Sequence, residues 1–267
     1  MSRSAQSLNN ESVLLRDARN GVVTLTLNRP ESYNALNEAL LNALSAALDD
    51  IVDDDSLRVL VIAATGKAFC TGHDYKEMQS NRAEAYYRKL FAKSSELMLR
   101  LMGLPQPVIA RVQGVAAANG CNLVASCDLA VASTEASFAV SGVNYGLFCS
   151  TPSVGLARNV SRKRAFEMLV TGDFIDALTA KEYGLVNRVV PADQLDAEVG
   201  SLAKTICSKS RAAIATGKRM FYAQVEKDVR SAYEFANDVM ASNMMTEDAE
   251  EGADAFIHKR PPVWKGR

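Results

Sequence analysis

The chain has 267 residues, of which 48% are hydrophobic and 23% are charged, and its net charge is −1. These values are typical of a globular protein with one large domain or two small ones, and they argue against a general affinity for nucleic acid or membranes. The longest apolar run, around residues 59–64, is too short to cross a bilayer. Residues 1–10 lack the apolar segment of a secretory signal, so we expect a flexible tail there.

The five cysteines indicate a reducing compartment. Their number is odd and the sequence contains no C-x-x-C pair, so a framework of disulfides is not expected. The predicted location is the cytoplasm, or the mitochondrial matrix if the organism is eukaryotic. The cysteines are Cys70, Cys121, Cys127, Cys149 and Cys207.

The first part of the chain alternates short β-branched runs with amphipathic segments, which favours an α/β architecture. Strands are predicted at 22–27, 58–64, 107–112, 129–131 and 137–139, and helices at 36–52, at 82–101 and from about Asn119.

After Pro152 the pattern changes to one late strand at 186–190 followed by helices at 193–207, 212–226, 231–243 and 246–259. We therefore divide the chain into an α/β core over residues 11–192 and a helical C-terminal region over 193–267. Thr246 is a good N-cap for the last helix. The acidic cluster Glu247, Asp248, Glu250 and Glu251 is expected to be a solvated helix start.

Three segments together carry a resemblance. They are "ATGKAFCTGHDYKEM" from Ala64, "AAANGCNLVASCDLAVAS" from Ala116 and "GLFCSTP" from Gly146. In this order they resemble the crotonase (enoyl-CoA hydratase/isomerase) superfamily, and locally the subgroup of enoyl-CoA hydratase domain-containing protein 3. The resemblance implies a spiral core of ββα turns, a helical C-terminal region used for trimer assembly, and an acyl-CoA thioester as the ligand.

The family places two backbone N–H groups on the thioester oxygen, and the matching residues here are His73 and Asn119. Two preorganised donors stabilise the negative charge of an enolate oxygen, and each is typically worth about 3 kcal/mol. Because these are main-chain groups, they survive a change of side chain if the backbone keeps its shape. The family has glycine where Asn119 stands, and asparagine tolerates unusual backbone conformations better than most residues.

The two glutamates of the family's hydratases are missing. The first would stand at Asn122, after the pair Gly120-Cys121, and the second at Gly142. An amide can orient a water molecule but cannot accept its proton at neutral pH, and glycine has no side chain. General acid–base groups typically contribute about 10²–10⁴-fold each, so fast hydration is not expected from these positions.

Four other residues near these motifs are candidates for a role in the site. His73 is either a base or only the donor of its N–H, and Asp74 is expected to brace its loop. Tyr145 and Ser150 are candidates to bind a polar group of the substrate or a water, although Ser150 equally fits a helix N-cap before Pro152. Cys149 is interpreted as a buried small hydrophobe, since no base for it is evident.

The resemblance also suggests where coenzyme A binds, as part of the substrate; no separate cofactor and no metal is predicted. Candidate contacts are Arg29 and Lys67, with Phe256 and Lys259 from a neighbouring subunit of a trimer or a dimer of trimers.

Three functions remain open from the sequence. The chain is an acyl-CoA enzyme of unusual chemistry (a weak hydratase, an isomerase, a hydrolase or a decarboxylase), a catalytically inactive acyl-CoA binder or regulatory protein, or a hydratase whose acids come from elsewhere.

Overall fold

The computed structural model describes residues 12–267, so the tail predicted over residues 1–10 lies outside the described residues. The strands are β1 Leu14–Arg19, β2 Val22–Leu27, β3 Val59–Ala64, β4 Ala68–Cys70, β5 Val108–Val112, β6 Val115–Ala117, β7 Leu129–Ser133, β8 Ser137–Ala139, β9 Ile175–Asp176 and β10 Arg188–Val190. The helices are α1 Glu38–Val52, α2 Tyr75–Ser80, α3 Glu84–Gly103, α4 Asn119–Ala125, α5 Ser150–Asn159, α6 Arg162–Thr171, α7 Ala177–Tyr183, α8 Leu195–Cys207, α9 Arg211–Gln224, α10 Val229–Met244 and α11 Glu247–Ile257.

The strands form two sheets that the chain visits in turn. One sheet has the order β1-β2-β3-β5-β7-β10 and the other has the order β4-β6-β8-β9. The consecutive pairs β3–β4, β5–β6 and β7–β8 each give one strand to each sheet, and the neighbouring strands of these pairs run parallel. This repeat is a spiral of ββα turns, which confirms the predicted α/β spiral core.

Strand β3 shows why a continuous apolar run is needed at the centre of the larger sheet. All six of its residues are buried. Val59 and Val61 pack in a cluster with Leu195 and Val199 of α8, whereas alternate residues such as Leu60 join the main core. Both faces of the strand are covered, so both need apolar side chains. Helix α8 therefore packs on the core sheet, although it lies beyond the predicted boundary at residues 192 and 193.

The C-terminal end of the chain is held by a buried carboxylate. Thr246 caps α11 as predicted, because its side chain accepts a hydrogen bond from the Ala249 N–H. Asp248 is only 3% exposed and accepts hydrogen bonds from the Ser210 hydroxyl and from the N–H groups of Lys265 and Gly266. The prediction that the whole acidic cluster is solvated is therefore wrong for Asp248.

Within residues 12–267, no helix combines the length and apolar character needed to cross a membrane. Over the same residues, no three histidine, cysteine, aspartate or glutamate side chains meet in an arrangement that could hold a metal ion.

Candidate active site

A cavity of about 670 Å³ lies where the β4–α2 loop, strand β6 and the turn after β8 meet. Its wall includes His73 and Asp74 from the loop, Ala117 and Ala118 at the end of β6, and Gly142 from a 3₁₀ turn at Ser141–Tyr145. Two other cavities, of about 520 and 830 Å³, lie against α9 and α8 and contain none of the predicted catalytic residues. The cavity at His73 is therefore the candidate active site.

Gly72 brings the two predicted backbone donors close together. It adopts a φ of +96°, and a methyl group on it would lie 2.9 Å from the Ala118 Cβ and 3.1 Å from the Asn119 nitrogen. The loop that ends in His73 thus rests directly on the start of α4. Neither the His73 N–H nor the Asn119 N–H donates to another group within residues 12–267. The structure therefore juxtaposes the loop and the helix start that carry these two N–H groups.

Ala118 fixes the direction of the second donor. It has φ +48° and ψ −118°, a conformation that favours glycine and costs about 1–3 kcal/mol for other residues. Its N–H donates to the Ala139 carbonyl at 2.9 Å, and its carbonyl accepts from the Asn122 N–H at 3.2 Å. Because a trans peptide places C=O and N–H on opposite sides, the Asn119 N–H points away from the body of α4.

The side chain of Asn122 does not line the cavity. It is 5% exposed, and its amide nitrogen donates to the Asn119 side-chain oxygen at 3.1 Å. The Asn119 amide nitrogen in turn donates to the Ser94 hydroxyl at 2.6 Å. The Asn122 amide nitrogen is therefore used inside the protein, and the role of this residue in orienting a water stays a prediction.

Cys149 occupies the space beside the second acid position. The Gly142 N–H donates to the Cys149 sulfur at 3.3 Å. A Cβ on Gly142 would lie 2.8 Å from that sulfur and 2.7 Å from the Leu147 carbonyl oxygen. Cys149 is 8% exposed, and burial raises the pKa of its thiol, in agreement with its interpretation as a small hydrophobe. A longer side chain at residue 142 has no room in this backbone conformation.

We expect Gly142→Glu to lower the free energy of unfolding by at least about 2 kcal/mol, because overpacking at buried positions typically costs this much. Adding Cys149→Gly should recover part of the loss, since it removes one of the two clashes. Urea unfolding followed by circular dichroism measures both values. Gly217→Glu is the matched control, because a Cβ there meets nothing within 4 Å. An equal loss in the control would contradict this account.

The imidazole of His73 is packed in an apolar environment. Its ring meets Phe91 of α3 edge-on, with centroids 5.2 Å apart, and its Nε2 is buried without a hydrogen-bond partner within residues 12–267. Burial lowers the pKa of His73 to about 4 from its ordinary 6.5. A group this weakly basic holds a proton poorly at neutral pH, which favours the role of backbone donor over that of a base.

This pKa predicts an acid-sensitive stability. Below pH 6.5 an unfolded chain protonates His73 while the folded chain does not, so stability falls as the pH drops from 6.5 toward 4. We expect a loss of about 1–3 kcal/mol over that window, measured by urea unfolding at several pH values. His73→Gln should remove this component. His258→Gln, at the exposed second histidine, should leave it in place. Identical pH profiles for wild type and His73→Gln would refute the prediction.

Asp74 and Arg29 stabilise the β4–α2 loop that carries His73. One Asp74 oxygen accepts the N–H groups of Lys76 and Glu77 at the start of α2, and the other accepts the Arg29 guanidinium at 3.0 Å. Arg29 also donates to the Ala35 carbonyl, and its side chain is only 13% exposed. Asp74 has the bracing geometry expected of it. Arg29 takes part in the same bracing, and its role as a coenzyme A contact stays a prediction.

The other predicted residues are dispersed. Tyr145 lies on the cavity wall, exposed, with its ring centroid 5.8 Å from that of Tyr75. Ser150 is outside the cavity lining and is the first residue of α5, so Cys149 holds the N-cap position that was offered for it. Lys67, Phe256 and Lys259 are exposed and lie outside this cavity of the single chain.

Two residues of this region were missed by the sequence analysis. Tyr75 lines the cavity beside Tyr145, and Ser94 ends the chain of amide hydrogen bonds at 3% exposure. Ser94 could have been noticed, because it is a polar residue in phase with the buried Leu90, Leu97 and Leu101 of α3. Tyr75 carries no comparable signal, since its position depends on how α2 packs.

Comparison with known proteins identifies the family of this chain. The family model described as enoyl-CoA hydratase/isomerase matches residues 17–267. The mitochondrial enoyl-CoA hydratase domain-containing protein 3 of Mus musculus is 45% identical over 246 residues, which cover 92% of this chain and 82% of that protein. The human protein of the same name is 44% identical over 91% of this chain and 80% of its own length.

Solved structures agree as well. A crystal structure of an enoyl-CoA hydratase from Mycobacterium smegmatis is 56% identical, with a TM-score of 0.94 and coverage of 95% of this chain and 99% of that one. The crystal structure of human enoyl-CoA hydratase domain-containing protein 3 is 42% identical, with a TM-score of 0.92 and coverage of 94% and 100%. The chain therefore belongs to the enoyl-CoA hydratase/isomerase (crotonase) family, in the subgroup of enoyl-CoA hydratase domain-containing protein 3.

Proposed function

We propose that the protein binds an acyl-CoA thioester and polarises its carbonyl with the N–H groups of His73 and Asn119, without the acid pair of a hydratase. The observation that carries this proposal is the contact of the His73 loop with the start of α4, where both N–H groups are left without a partner in residues 12–267. Donors of this kind act on the negative charge that develops as the thioester becomes an enolate.

The proposed chemistry passes through an enolate and relies little on side-chain proton transfer. Of the carboxylates on the cavity wall, Asp74 is engaged by Arg29 and by the start of α2, and Glu31 is exposed. Because a hydratase uses two acids and Asp74 is already engaged, a hydratase with acids supplied from elsewhere is disfavoured. Decarboxylation fits this route directly, because loss of carbon dioxide leaves an enolate without the help of a base. Isomerisation would also need a group that moves a proton, and hydrolysis would use the same donors on the oxyanion of a tetrahedral intermediate. No separate cofactor is required, because coenzyme A arrives as part of the substrate.

We further propose that the C-terminal helices assemble the chain into a trimer or a dimer of trimers. Large apolar side chains are exposed on α9 to α11, namely Phe221, Tyr233, Met240, Met244, Phe256 and Ile257. Exposed apolar surface of this extent marks an interaction surface. In such an assembly, Phe256 and Lys259 would meet the ligand of a neighbouring subunit, and Lys67 would meet the phosphates. Light scattering of the purified protein measures the mass, and a monomer would refute this assembly.

The proposed compartment rests on the free cysteines and on the names of two relatives. All five cysteines are free, and four of them are buried. The mouse and human relatives carry "mitochondrial" in their names. We infer the cytoplasm, or the mitochondrial matrix in a eukaryote. Cell fractionation measures the location, and secretion of the protein would refute it.

Acetoacetyl-CoA tests the proposed function, because its bound enolate absorbs near-ultraviolet light. We expect the protein to bind this probe and to raise its enolate fraction. Crotonyl-CoA should bind but hydrate slowly. A hydration turnover above about 1 s⁻¹, within the usual range of enzymes, would refute the absence of hydratase chemistry. Absence of both binding and enolate absorbance would refute the donor pair itself.

The second candidate is a catalytically inactive acyl-CoA binder, and the substitutions at Asn122 and Gly142 favour it because neither residue can carry a proton. A panel of enoyl-, malonyl- and 3-hydroxyacyl-CoA compounds, followed by mass spectrometry, separates the two. Product from any member of the panel supports the enzyme, and binding without product across the panel supports the binder.

A further inference from the structure

A continuous chain of side-chain hydrogen bonds supports the start of α4. It runs from the Asn122 amide to the Asn119 oxygen at 3.1 Å, and from the Asn119 amide to the Ser94 hydroxyl at 2.6 Å. The three residues are 5%, 1% and 3% exposed, in that order. Hydrogen bonds between buried groups are strong, and removal of one partner leaves the other polar group unsatisfied.

This chain holds the residue whose N–H is the second donor. Asn119 is bound through its side-chain oxygen on one side and through its side-chain nitrogen on the other, so its side chain has little freedom to rotate. The residue before it, Ala118, has a φ of +48°, and its strained conformation would relax if α4 were free to shift. The bond to Ser94 opposes this relaxation, because it ties Asn119 to α3. The bond from Asn122 holds the Asn119 side chain in the orientation that makes this contact.

We propose that Ser94 and Asn122 are positioning residues that aim the Asn119 N–H at the thioester oxygen. Asn122 stands where the family's hydratases carry their first acid. In this chain the position supports the Asn119 donor instead of transferring a proton. This inference rests on the proposed function, since it assigns a role within the same donor pair. It also accounts for Asn119 in place of the family's glycine, because a glycine has no side chain for Ser94 and Asn122 to hold.

The test uses acetoacetyl-CoA with Asn122→Leu, which keeps the size of the side chain but removes its amide, and with Ser94→Ala. The readout is the pH dependence of the bound enolate absorbance, which gives the acidity of the probe on the protein. We expect each variant to lower that acidity about 10- to 100-fold, because small displacements of a catalytic group cost this much. The dissociation constant of free coenzyme A should stay within about threefold of the wild-type value.

Asn159→Ala is the matched control. The Asn159 amide donates to the Ala125 carbonyl at 2.9 Å, so it supports the opposite end of the same helix. The control should lower the melting temperature about as much as Asn122→Leu and leave the probe's acidity unchanged. In an Asn119→Ala background, Ser94→Ala and Asn122→Leu should have no further effect on the acidity, because the side chain through which they act is gone.

Each outcome decides the inference. Folded Asn122→Leu and Ser94→Ala proteins with wild-type enolate absorbance would overturn it and leave the donor pair intact. The same loss of absorbance in Asn159→Ala would overturn it as well, since general loosening of α4 would then be the cause. A wild-type protein that binds the probe without forming its enolate would instead remove the proposed function on which the inference rests. If Asn122→Leu fails to fold, Ser94→Ala alone decides.

Discussion

Replacing Gly72 with alanine is expected to lower the enolate fraction of bound acetoacetyl-CoA at least about 100-fold. The new methyl group would lie 2.9 Å from the Ala118 Cβ and 3.1 Å from the Asn119 nitrogen, neither of which can move without moving α4. The loop that carries the His73 N–H would therefore separate from the helix that carries the Asn119 N–H. Loss of one such donor costs about 3 kcal/mol of stabilisation, which corresponds to about 100-fold.

The substitution also strains the backbone, so its effect on stability needs a control of the same kind. Gly184 has a φ of +89°, and a Cβ on it would lie 3.1 Å from the Asn159 carbonyl oxygen. Gly184→Ala should therefore lower the melting temperature similarly while retaining the enolate absorbance, because it lies outside the cavity wall. A Gly72→Ala protein that is folded and keeps the wild-type absorbance would contradict the donor pair.

Asp128→Asn is expected to give the largest loss of stability, about 3–5 kcal/mol. The Asp128 carboxylate accepts the Lys218 ammonium at 2.6 Å, the Tyr222 hydroxyl at 2.8 Å and the Val108 N–H at 2.6 Å. The side chains of Lys218 and Asp128 are only 7% and 13% exposed. Removal of one partner from a buried ion pair leaves the other charge uncompensated, which is what makes the loss large.

This cluster attaches α9, the second α-helix of the C-terminal region, to the α/β core. Lys218 also donates to the carbonyls of Leu101 and Gln106, at the end of α3 and in the loop before β5. Burial lowers the pKa of Lys218, although Asp128 opposes that shift, so loss of the carboxylate should lower it further. In Asp128→Asn we therefore expect α9 to detach before the core unfolds. Hydrogen exchange of the α9 amides measures this detachment.

Two variants check the origin of this loss. Lys218→Met in addition to Asp128→Asn should recover part of the stability, because it removes the uncompensated charge. Glu84→Ala breaks an exposed ion pair, in which the side chains of Arg88 and Glu84 are 77% and 78% exposed. This change should cost less than about 1 kcal/mol. If Asp128→Asn cost no more than Glu84→Ala in urea unfolding, the structural role assigned to the cluster would be wrong.

Short-range signals predicted many of the regular elements. The predicted strands at 22–27 and 137–139 are β2 and β8, and the predicted helix from Asn119 is α4. Each has a clear apolar period or a turn residue at its end. The strands β1, β4, β6 and β9 were not predicted. The pairing of β4 with β6 depends on Gly114, where a Cβ would lie 1.9 Å from the Lys67 carbonyl oxygen, and that approach is visible only in the folded chain.

The sequence by itself determined the α/β class through local periodicity, and the absence of carboxylates at Asn122 and Gly142 through residue identity. It indicated the family through the resemblance of three motifs. Tertiary structure decided what the remaining groups do. Asn122 donates a hydrogen bond to Asn119, and Arg29 forms an ion pair with Asp74. Buried polar groups bind the partners that the packing of the chain places beside them. The approach of the His73 loop to the start of α4 is also tertiary, because it depends on contact across Gly72 between segments almost fifty residues apart in the chain.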